Sequence, residues 1–327
     1  MAKRPGGMTG LDPSVGLAEN YRRFAVQEAA GKSDHYERLA LAVADDAVIL
    51  KFLATLPVGK RQPNLLFGAA WLLLGEPADH RSLRALVSAR ASELGDVMRA
   101  RRTQTNEAGR CAVLLPALAQ IQGPLALIEV GAAAGLTLLH DQYSYDYDGH
   151  LVAGLDAGAP LLSCRPVGAV PLPDRVPDIV WRAGIDLNPL DIADEDELRW
   201  LSCLIWPGDE TRSKRLLDAA ATARRHPVRI VAGDLLEELP ALAAQAPPQA
   251  TLVVLHTAVL AYVEMAKREA FAALVADLGA VWLANEGEGV TPGVASDAGG
   301  DFLLVRNGTE LLARADPHGA WIEWVRA

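Results

Sequence analysis

The segment 125–135, with the sequence LALIEVGAAAG, constrains the fold more than any other part of the chain. An apolar run ends at the acidic Glu129, and Gly131 and Gly135 then stand four residues apart. This pattern predicts a buried parallel strand that enters a tight turn and then a helix, as in the first unit of a Rossmann-type sheet. Nucleotide-like cofactors bind at such turns, at the carboxyl end of the first strand.

The positions of the glycines distinguish two classes of cofactor. A dinucleotide turn, Gly-x-Gly-x-x-Gly, would need glycine where this chain has Ala133 and Leu136. The methyltransferase pattern is an acidic residue followed by x-Gly-x-Gly-x-Gly; Glu129, Gly131 and Gly135 match it, and Ala133 is the smallest departure from a middle glycine. No Gly-Lys-Ser/Thr follows, which excludes a Walker phosphate loop. The turn therefore favours S-adenosylmethionine, and a tight turn without a ligand is the alternative.

Composition and charge limit the classes of partner. Half of the 327 residues are hydrophobic, enough for a sizeable core. A net charge of −10 without a basic patch argues against nucleic acid and favours a small-molecule or protein acceptor. The apolar run 65–74 is too short to cross a membrane, and no apolar region follows the basic N-terminus as in a signal peptide. Three cysteines without a CxxC motif predict neither disulfide nor zinc site and suit the cytoplasm, and the oligomeric state stays open.

The order of periodic segments predicts an α/β fold with an additional helical part. We expect a disordered tail over 1–15, a helical subdomain over 16–102, and a Rossmann-like domain over 103–327 with an insertion at 143–178. The predicted strands are 125–130, 179–185, 228–232, 251–255 and 280–284. The predicted helices between them are 194–204, 209–225, 236–245 and 259–278. A Gly-rich stretch and an Asn307-Gly308 hairpin signal then predict antiparallel C-terminal strands beside a mostly parallel sheet.

Acidic residues that follow the second and third predicted strands are candidate cofactor ligands. Asp186, followed by Leu187, is placed to accept both hydroxyls of a ribose, because a carboxylate has two oxygens. Asp234, followed by Leu235, is placed to accept the exocyclic amine of adenine. The alternatives are a turn residue before Asn-Pro for Asp186 and a helix N-cap for Asp234.

His256 ends the fourth predicted strand, where a methyl acceptor would face the sulfonium. Its ring titrates near neutral pH and is therefore a candidate general base for the acceptor. A hydrogen-bonded structural histidine is the alternative. Methyl transfer also proceeds largely by positioning of two reactants, so that a base is not obligatory.

The polar run TQTNE, residues 103–107, precedes a predicted helix that reaches about residue 122. Thr105 or Asn106 is suited to cap this helix. If the helix packs antiparallel to the first strand, its start lies beside the end of that strand. We therefore expect Gln104, Asn106, Glu107 and Arg110 to border the turn and to contact the substrate.

Two further groups of residues have both a functional and a structural interpretation. Tyr143, Tyr145 and Tyr147 alternate along the chain, as in a strand edge or in a wall that binds the acceptor. Arg212 and Arg215 are spaced to bind an anionic acceptor or to lie on a solvated helix face.

Several segments together resemble an uncharacterised bacterial family known only as a domain of unknown function. They are RRTQTNEAGRCAVLLPAL, LIEVGAAAGLTLLHDQYSYDY, AGIDLNPLDI, LIWPGDETRSKRL, VVLHTAVLAYV and DPHGAWIEWV. The resemblance implies a class I methyltransferase-like fold and no established reaction. The combined expectation is an S-adenosylmethionine-dependent methyltransferase whose cofactor contacts Glu129, the turn with Ala132 and Ala133, Asp186 and Asp234. A non-catalytic binding module of the same fold is the first alternative, and an NAD-type oxidoreductase is the second.

Overall fold

The computed structural model describes residues 16–104, 106–294 and 300–325. The predicted tail 1–15 and the predicted cap at Thr105 lie outside these ranges. The described chain divides into two compact units. A helical unit contains residues 16–104 and 194–214, and a sheet unit contains 106–193 and most of 215–325.

The helical unit contains six α-helices, besides the first turn of a helix that continues into the sheet unit. They are α1 (Leu17–Phe24), α2 (Asp34–Ala44), α3 (Ala47–Ala54), α4 (Pro63–Leu74), α5 (His80–Ala100) and α7 (Glu195–Cys203). Local sequence sets several of their ends, because Asp46 and Asp194 accept hydrogen bonds at the starts of α3 and α7, and Asp79 forms a capping box with Ser82.

Helix α7 joins the helical unit, although the sequence placed it among the helices of the sheet domain. Its Trp200 and Cys203 belong to the same buried apolar cluster as Phe67 of α4. A Cβ on Gly68 would lie 3.1 Å from Leu204, so glycine permits close packing of α4 on the end of α7. The apolar face of α7 is therefore buried against residues more than 100 positions away.

The sheet unit is built on a nine-stranded sheet. Its strands, in the order in which they lie, are β5 (Arg165–Val167), β12 (Trp321–Trp324), β11 (Glu310–Ala315), β10 (Phe302–Arg306), β9 (Val281–Gly287), β8 (Thr251–Thr257), β1 (Leu125–Val130), β6 (Ile179–Asp186) and β7 (Arg229–Ala232). The helices of this part are α6 (Arg110–Leu118), α8 (Glu210–Arg225), α9 (Leu235–Ala243) and α10 (Met265–Asp277). Helix α8 begins in the helical unit and ends in the sheet unit.

The five strands β1, β6, β7, β8 and β9 are parallel to one another. Numbered from one to five along the chain, they lie in the order 3-2-1-4-5. This order occurs in doubly wound α/β sheets, where ligands bind at the point between the first and fourth strands. Beyond β9, each next strand is antiparallel to the one before it: β10 pairs with β9, β11 with β10, and β12 with β11. The mostly parallel sheet and its antiparallel tail are thus as predicted, and Asn307 and Gly308 form the hairpin with positive φ angles of 52° and 71°.

The connection from β1 to β6 differs from the prediction. A helix was expected after the turn, but within residues 131–178, all of which the structure describes, the helical structure is a single 3-10 turn, Leu136–Leu138. A three-stranded sheet follows, in the order β3 (His150–Val152), β2 (Ser144–Tyr147) and β4 (Leu161–Ser163). The predicted insertion thus replaces the crossover helix, because its apolar residues alternate with period two and form strands.

Two predicted helices begin later than expected. Helix α6 begins at Arg110 rather than at the polar run 103–107, and it ends at Leu118. Helix α10 begins at Met265, because residues 258–264 form a short 3-10 turn and a loop at the end of β8. Both differences leave polar, irregular backbone beside the carboxyl ends of the parallel strands.

Candidate functional site

Buried polar side chains collect where the parallel strands end. Alternate residues of a strand face opposite sides of a sheet, and Ile128, Val254 and Ala284 belong to the apolar core of one side. Glu129, Thr257 and Asn285 therefore face the other side. There Thr257 accepts hydrogen bonds from Arg110, the first residue of α6.

We call six of the buried polar residues on this side the polar cluster. They are Asn106, Arg110, Glu129, Thr137, Thr257 and Asn285. All six lie within the sheet unit. The cluster lies at the carboxyl ends of β1, β8 and β9, which is the edge where ligands bind in sheets of this order.

The glycine turn (residues 131–135) is a tight turn, as predicted, and three of its residues have left-handed backbone. The φ angles are 71° at Gly131, 48° at Ala133 and 73° at Gly135. Alanine rarely adopts this conformation, at a cost on the order of 1–2 kcal/mol. Asp186 offsets this cost, because its Oδ2 accepts a hydrogen bond of 2.8 Å from the Ala133 amide.

The space that these glycines create is filled by the protein itself. A Cβ on Gly131 would lie 2.3 Å from a methyl carbon of Val259, in the loop after β8. A Cβ on Gly135 would lie 2.4 Å from a methyl carbon of Val228. The close approach that the sequence assigned to a ligand is therefore an approach to two valine side chains.

Glu129 is almost completely buried at the end of β1. Its Oε1 accepts a hydrogen bond from the Thr137 hydroxyl, and its Oε2 has no hydrogen-bond partner in the part of the chain that the structure describes. Burial raises the pKa of this carboxyl to about 8, although the bond from Thr137 and the charge of Arg110 act in the opposite direction. The group is thus predominantly neutral at pH 7.

The polar run before α6 reaches the glycine turn through Asn106. Its Oδ1 accepts a 2.7 Å hydrogen bond from the amide of Leu136, and its Nδ2 lies 3.4 Å from the Thr137 hydroxyl. Glu107 accepts a hydrogen bond of 2.7 Å from Arg215, so this arginine belongs to a buried ion pair. Arg110 donates to the carbonyl of Pro317 and lies over the ring of Phe302.

Gln104 and Arg212 belong to the helical unit, whereas the polar cluster lies entirely within the sheet unit. The predictions for Gln104 as a substrate residue and for Arg212 as an anion ligand stay predictions.

The two candidate acidic ligands have local backbone partners. Asp186 accepts hydrogen bonds of 2.8 Å from the amides of Ala133 and Asn188, and these bonds hold the glycine turn against the end of β6. Asp234 caps α9 through the amide of Leu236 and forms a 2.6 Å ion pair with Lys267. Hydrogen bonds and the charge of Lys267 lower the pKa of Asp234. Both residues thus have the structural role that the sequence offered as the alternative.

His256 lies on the opposite side of the sheet from the polar cluster and is completely buried. Its Nδ1 lies 2.6 Å from Oε1 of Glu286, and its Nε2 accepts a hydrogen bond of 2.9 Å from the indole of Trp282. The same Glu286 oxygen accepts hydrogen bonds of 2.8 Å from the amide of Val259 and 3.0 Å from the amide of Leu260. With both ring nitrogens engaged, the histidine positions this loop and has no nitrogen available to remove a proton from an acceptor.

The tyrosines of the insertion are fully buried anchors. Tyr143 and Tyr145 donate to the carbonyls of Leu136 and His140 at 2.8 and 2.6 Å. Tyr147 donates to the carbonyl of Ala112 in α6, at 2.7 Å. These bonds fix the three-stranded sheet, whose central strand is β2, onto α6 and the turn. The strand interpretation fits this geometry, and Tyr143 and Tyr145 present no hydroxyl to a ligand.

The sequence interpretation missed three residues at this edge. Asn285, Thr137 and Glu286 each follow or precede an apolar run without forming a recognisable motif. The signal available for Asn285 and Glu286 was their position, since two polar residues end the fifth predicted strand. Thr137 gave no signal, because it belongs to a segment predicted as an ordinary helix.

A second concave feature lies in the helical unit. A cleft of about 430 Å³ is lined in part by Asp46, His80 and Arg84. Oδ2 of Asp46 accepts hydrogen bonds of 2.9 Å from His80 and 3.0 Å from Arg84, and its Oδ1 caps α3. These polar groups satisfy one another and leave no orphaned atom that would select a ligand.

Within the described residues, metal-ligand side chains and cysteines form no further candidate site. No group of three or more His, Cys, Asp and Glu side chains there is arranged to hold a metal ion. Cys111, Cys164 and Cys203 are buried free thiols, and burial raises the pKa of each. Across the same described ranges, every helix is too short or too polar to traverse a bilayer.

Comparisons with known proteins assign a family. No curated protein and no solved structure matches the chain. A family model does match it, over residues 18–324, and the description of that family is "Uncharacterized protein conserved in bacteria (DUF2332)". The match includes the helical unit, the glycine turn and the antiparallel tail, so the chain belongs to this bacterial family of uncharacterized proteins.

Proposed function

We propose that the chain is an S-adenosylmethionine-dependent methyltransferase with a Rossmann-like, class I methyltransferase-like fold and a small-molecule or protein acceptor. The 3-2-1-4-5 strand order and the left-handed glycine turn support this proposal. The observation that carries it is Oε2 of Glu129, a buried carboxyl oxygen beside the turn that has no partner among the described residues. The ammonium of the cofactor is the partner we propose for it, and the cytoplasm is the proposed setting.

The proposed roles follow the positions of the residues. Ala132 and Ala133, between the two glycines, would lie beneath the methionine and ribose parts of the cofactor. Asp186 with Leu187 would hold the ribose, and Asp234 with Leu235 the adenine, through lone pairs beyond those that accept backbone amides. The cofactor supplies a methyl group on a sulfonium. Because His256 is engaged on both nitrogens, we propose transfer by positioning, without this histidine as a base.

The first expected result is calorimetric binding of S-adenosylhomocysteine to the full-length protein. Substitution of Glu129→Gln keeps the shape of the side chain but leaves a group that cannot ionise when the ammonium binds, so that we expect about tenfold weaker binding, equivalent to about 1.4 kcal/mol. Below its pKa of about 8 the carboxyl must lose a proton to attract an ammonium. Wild-type affinity should therefore rise between pH 6 and 7.5, whereas the affinity of the variant stays constant.

Absence of binding to monodisperse wild-type protein and to a Val259→Ala variant would contradict the proposed function. Equal affinities of wild-type protein and Glu129→Gln at all pH values would instead reject the role of this carboxyl alone.

The second expected result concerns the side chain that covers the turn. Val259 packs against Gly131, so a ligand at the turn must displace it. Val259→Ala removes both methyl groups and should tighten binding of S-adenosylhomocysteine about fivefold, which corresponds to about 1 kcal/mol. Val263→Ala is the matched control, because Val263 lies at the end of the same loop, whereas the three atoms nearest to a Cβ on Gly131 all belong to Val259. Weaker binding to Val259→Ala than to the control would show that Val259 contacts the ligand instead of excluding it.

A non-catalytic cofactor-binding module is the second candidate. The observations that favour it are the engaged ring of His256 and the protein side chains that fill the space at both glycines. The two candidates differ in turnover. Labelled methyl groups that reach an acceptor in cell extract indicate a methyltransferase, and cofactor binding without any transfer indicates the module.

A further inference from the structure

The side chain of Asn285 is buried in the sheet unit without a hydrogen bond to any described residue. It lies near the end of β9, is completely buried, and neither its Oδ1 nor its Nδ2 has a hydrogen-bond partner among the residues that the structure describes. Its backbone is fully used, because it pairs with β8 and β10 and its carbonyl accepts the amide of Ala258. Only the amide side chain is unsatisfied.

An unsatisfied buried amide is costly, since a buried donor or acceptor without a partner loses about 1–3 kcal/mol. Native proteins contain few such groups, and each calls for an explanation such as a ligand or an ordered water. Among the described residues, the other buried asparagine shows the ordinary situation. It is Asn106, whose Oδ1 accepts a hydrogen bond from the amide of Leu136.

The place of Asn285 in the sheet is the place expected for an acceptor. Thr257 lies directly beside it in the register of β8 and β9, and both face the side that carries Glu129. Glu129 lies two strands away and two residues back along the strand direction. These offsets separate the two Cα atoms by roughly 12 Å. A donor molecule at Glu129 and a second small molecule at Asn285 would therefore lie on the same side of the sheet.

The chemistry of the side chain defines the ligand. A carboxamide offers two N–H donors beside one carbonyl acceptor, and its complement is a planar group with an acceptor beside a donor. Primary carboxamides have this pattern, as does the amino-imine edge of a nitrogen heterocycle, which asparagine binds in a bidentate manner. A ligand with a net charge would lose its hydration in this enclosed position without an opposite charge from Asn285.

We propose that Asn285 is the recognition residue of a second binding site, which takes a small neutral molecule with a hydrogen-bond donor beside an acceptor. The identification of this molecule as the methyl acceptor rests on the proposed function, whereas its binding at Asn285 does not. Thr257 forms the neighbouring wall of this site, and Arg110, which donates to the Thr257 hydroxyl, holds that wall in place.

The first test compares two buried asparagines without any ligand. Asn285→Leu removes an unsatisfied amide in a side chain of similar size, so that thermal unfolding should occur about 2–4 °C higher. Asn106→Leu, the matched control, removes an amide that is bonded to Leu136 and should lower the Tm. Asn285→Ala, which is smaller and cannot clash, repeats the test if the leucine does not fit. A lower Tm for both Asn285 variants, by as much as for Asn106→Leu, would overturn the inference, because the amide would then have a structural partner.

The second test uses adenine and nicotinamide as probes of the two ligand types, with benzoate as a charged control. Saturation-transfer NMR is recorded on full-length protein saturated with S-adenosylhomocysteine, which occupies the proposed adenine position of the cofactor. We expect a signal from at least one neutral probe, none from benzoate, and a loss of about tenfold in affinity in Asn285→Leu. If only adenine binds, the ligand of the site is a nitrogen heterocycle; if only nicotinamide binds, it is a carboxamide. The inference is overturned if neither probe binds, or if the probes bind equally well to wild type and Asn285→Leu.

Failure of this inference is separable from failure of the proposed function. Asn285→Leu should bind S-adenosylhomocysteine with wild-type affinity, within about twofold. If it does so while both neutral probes fail, only the second site is rejected. If the probes bind to the protein in the absence of S-adenosylhomocysteine, and S-adenosylhomocysteine itself does not bind, only the proposed methyltransferase function is rejected.

Discussion

Replacement of Glu129 by glutamine is expected to remove a loss of stability that the wild-type protein shows as the pH rises. Burial raises the pKa of Glu129 to about 8 in the folded protein, far above the ordinary value of a glutamate. Between about pH 4.5 and 8 the folded state therefore retains a proton that the unfolded state has released. The free energy of unfolding falls as the pH rises through this interval, by at most about 1.4 kcal/mol per pH unit, and the effect ends above pH 8.

Urea unfolding at pH 5.5, 6.5 and 7.5 measures the difference between wild type and Glu129→Gln. The difference should change in favour of the variant at each step, because glutamine has no proton to lose. Glu93→Gln is the control, since Glu93 is exposed and a hydrogen bond from Arg90 lowers its pKa. Its carboxylate contributes stability at neutral pH that is lost on acidification, the opposite direction. Parallel curves for wild type and Glu129→Gln would show that Glu129 is ionised in the folded protein.

Gly131→Ala is expected to destabilise the protein by about 3 kcal/mol. Left-handed backbone costs an alanine on the order of 1–2 kcal/mol, and forced overpacking typically adds 1–3 kcal/mol. Both apply here, because φ is 71° and a Cβ would lie 2.3 Å from one methyl carbon of Val259 and 2.8 Å from the other. Valine is stiff about χ1 and cannot turn both methyl groups away. Denaturant unfolding of the purified variant measures the loss.

Gly123→Ala separates the two causes. Gly123 also has a positive φ of 81°, but its Cβ would meet no atom within 4 Å, so that only the backbone cost of about 1 kcal/mol remains. The double variant Gly131→Ala, Val259→Ala should regain the part due to overpacking, with a coupling energy of about 1 kcal/mol or more. Equal losses for Gly123→Ala and Gly131→Ala would mean that Val259 does not occupy the space above the turn.

The sequence predicted elements whose signal is local. The parallel strands β1, β6, β7, β8 and β9 lie within a few residues of their predicted bounds, because each is a short apolar run bounded by polar or turn residues. The hairpin at Asn307-Gly308 was equally local. The approach of Asn106 to the glycine turn followed from helix and strand lengths, and the structure brings its side chain to Leu136, although α6 itself begins four residues later.

Predictions that depended on the surroundings of a side chain were less secure. His256 lies near the end of β8, as predicted, yet its ring faces the side opposite the polar cluster, and Trp282 and Glu286 from the adjacent strand β9 occupy its nitrogens. Helix α7 follows β6 in the chain, yet its apolar face packs in the helical unit. The partners of His256 and of α7 cannot be read from their own sequence, because tertiary packing decides which distant residues they contact.

The sequence alone therefore determined the succession of strands and turns along the chain, since backbone preference and apolar periodicity are properties of short segments. The tertiary structure decided what each polar group at the carboxyl edge of the sheet contacts. Val259 covers Gly131. Among the described residues, Glu129 is left with one unsatisfied oxygen, and Asn285 is left with an unsatisfied amide. These outcomes arise because residues far apart in the chain compete for the same small volume. Hydrogen bonding and steric fit in that volume depend on distances of a few ångströms, which no local pattern encodes.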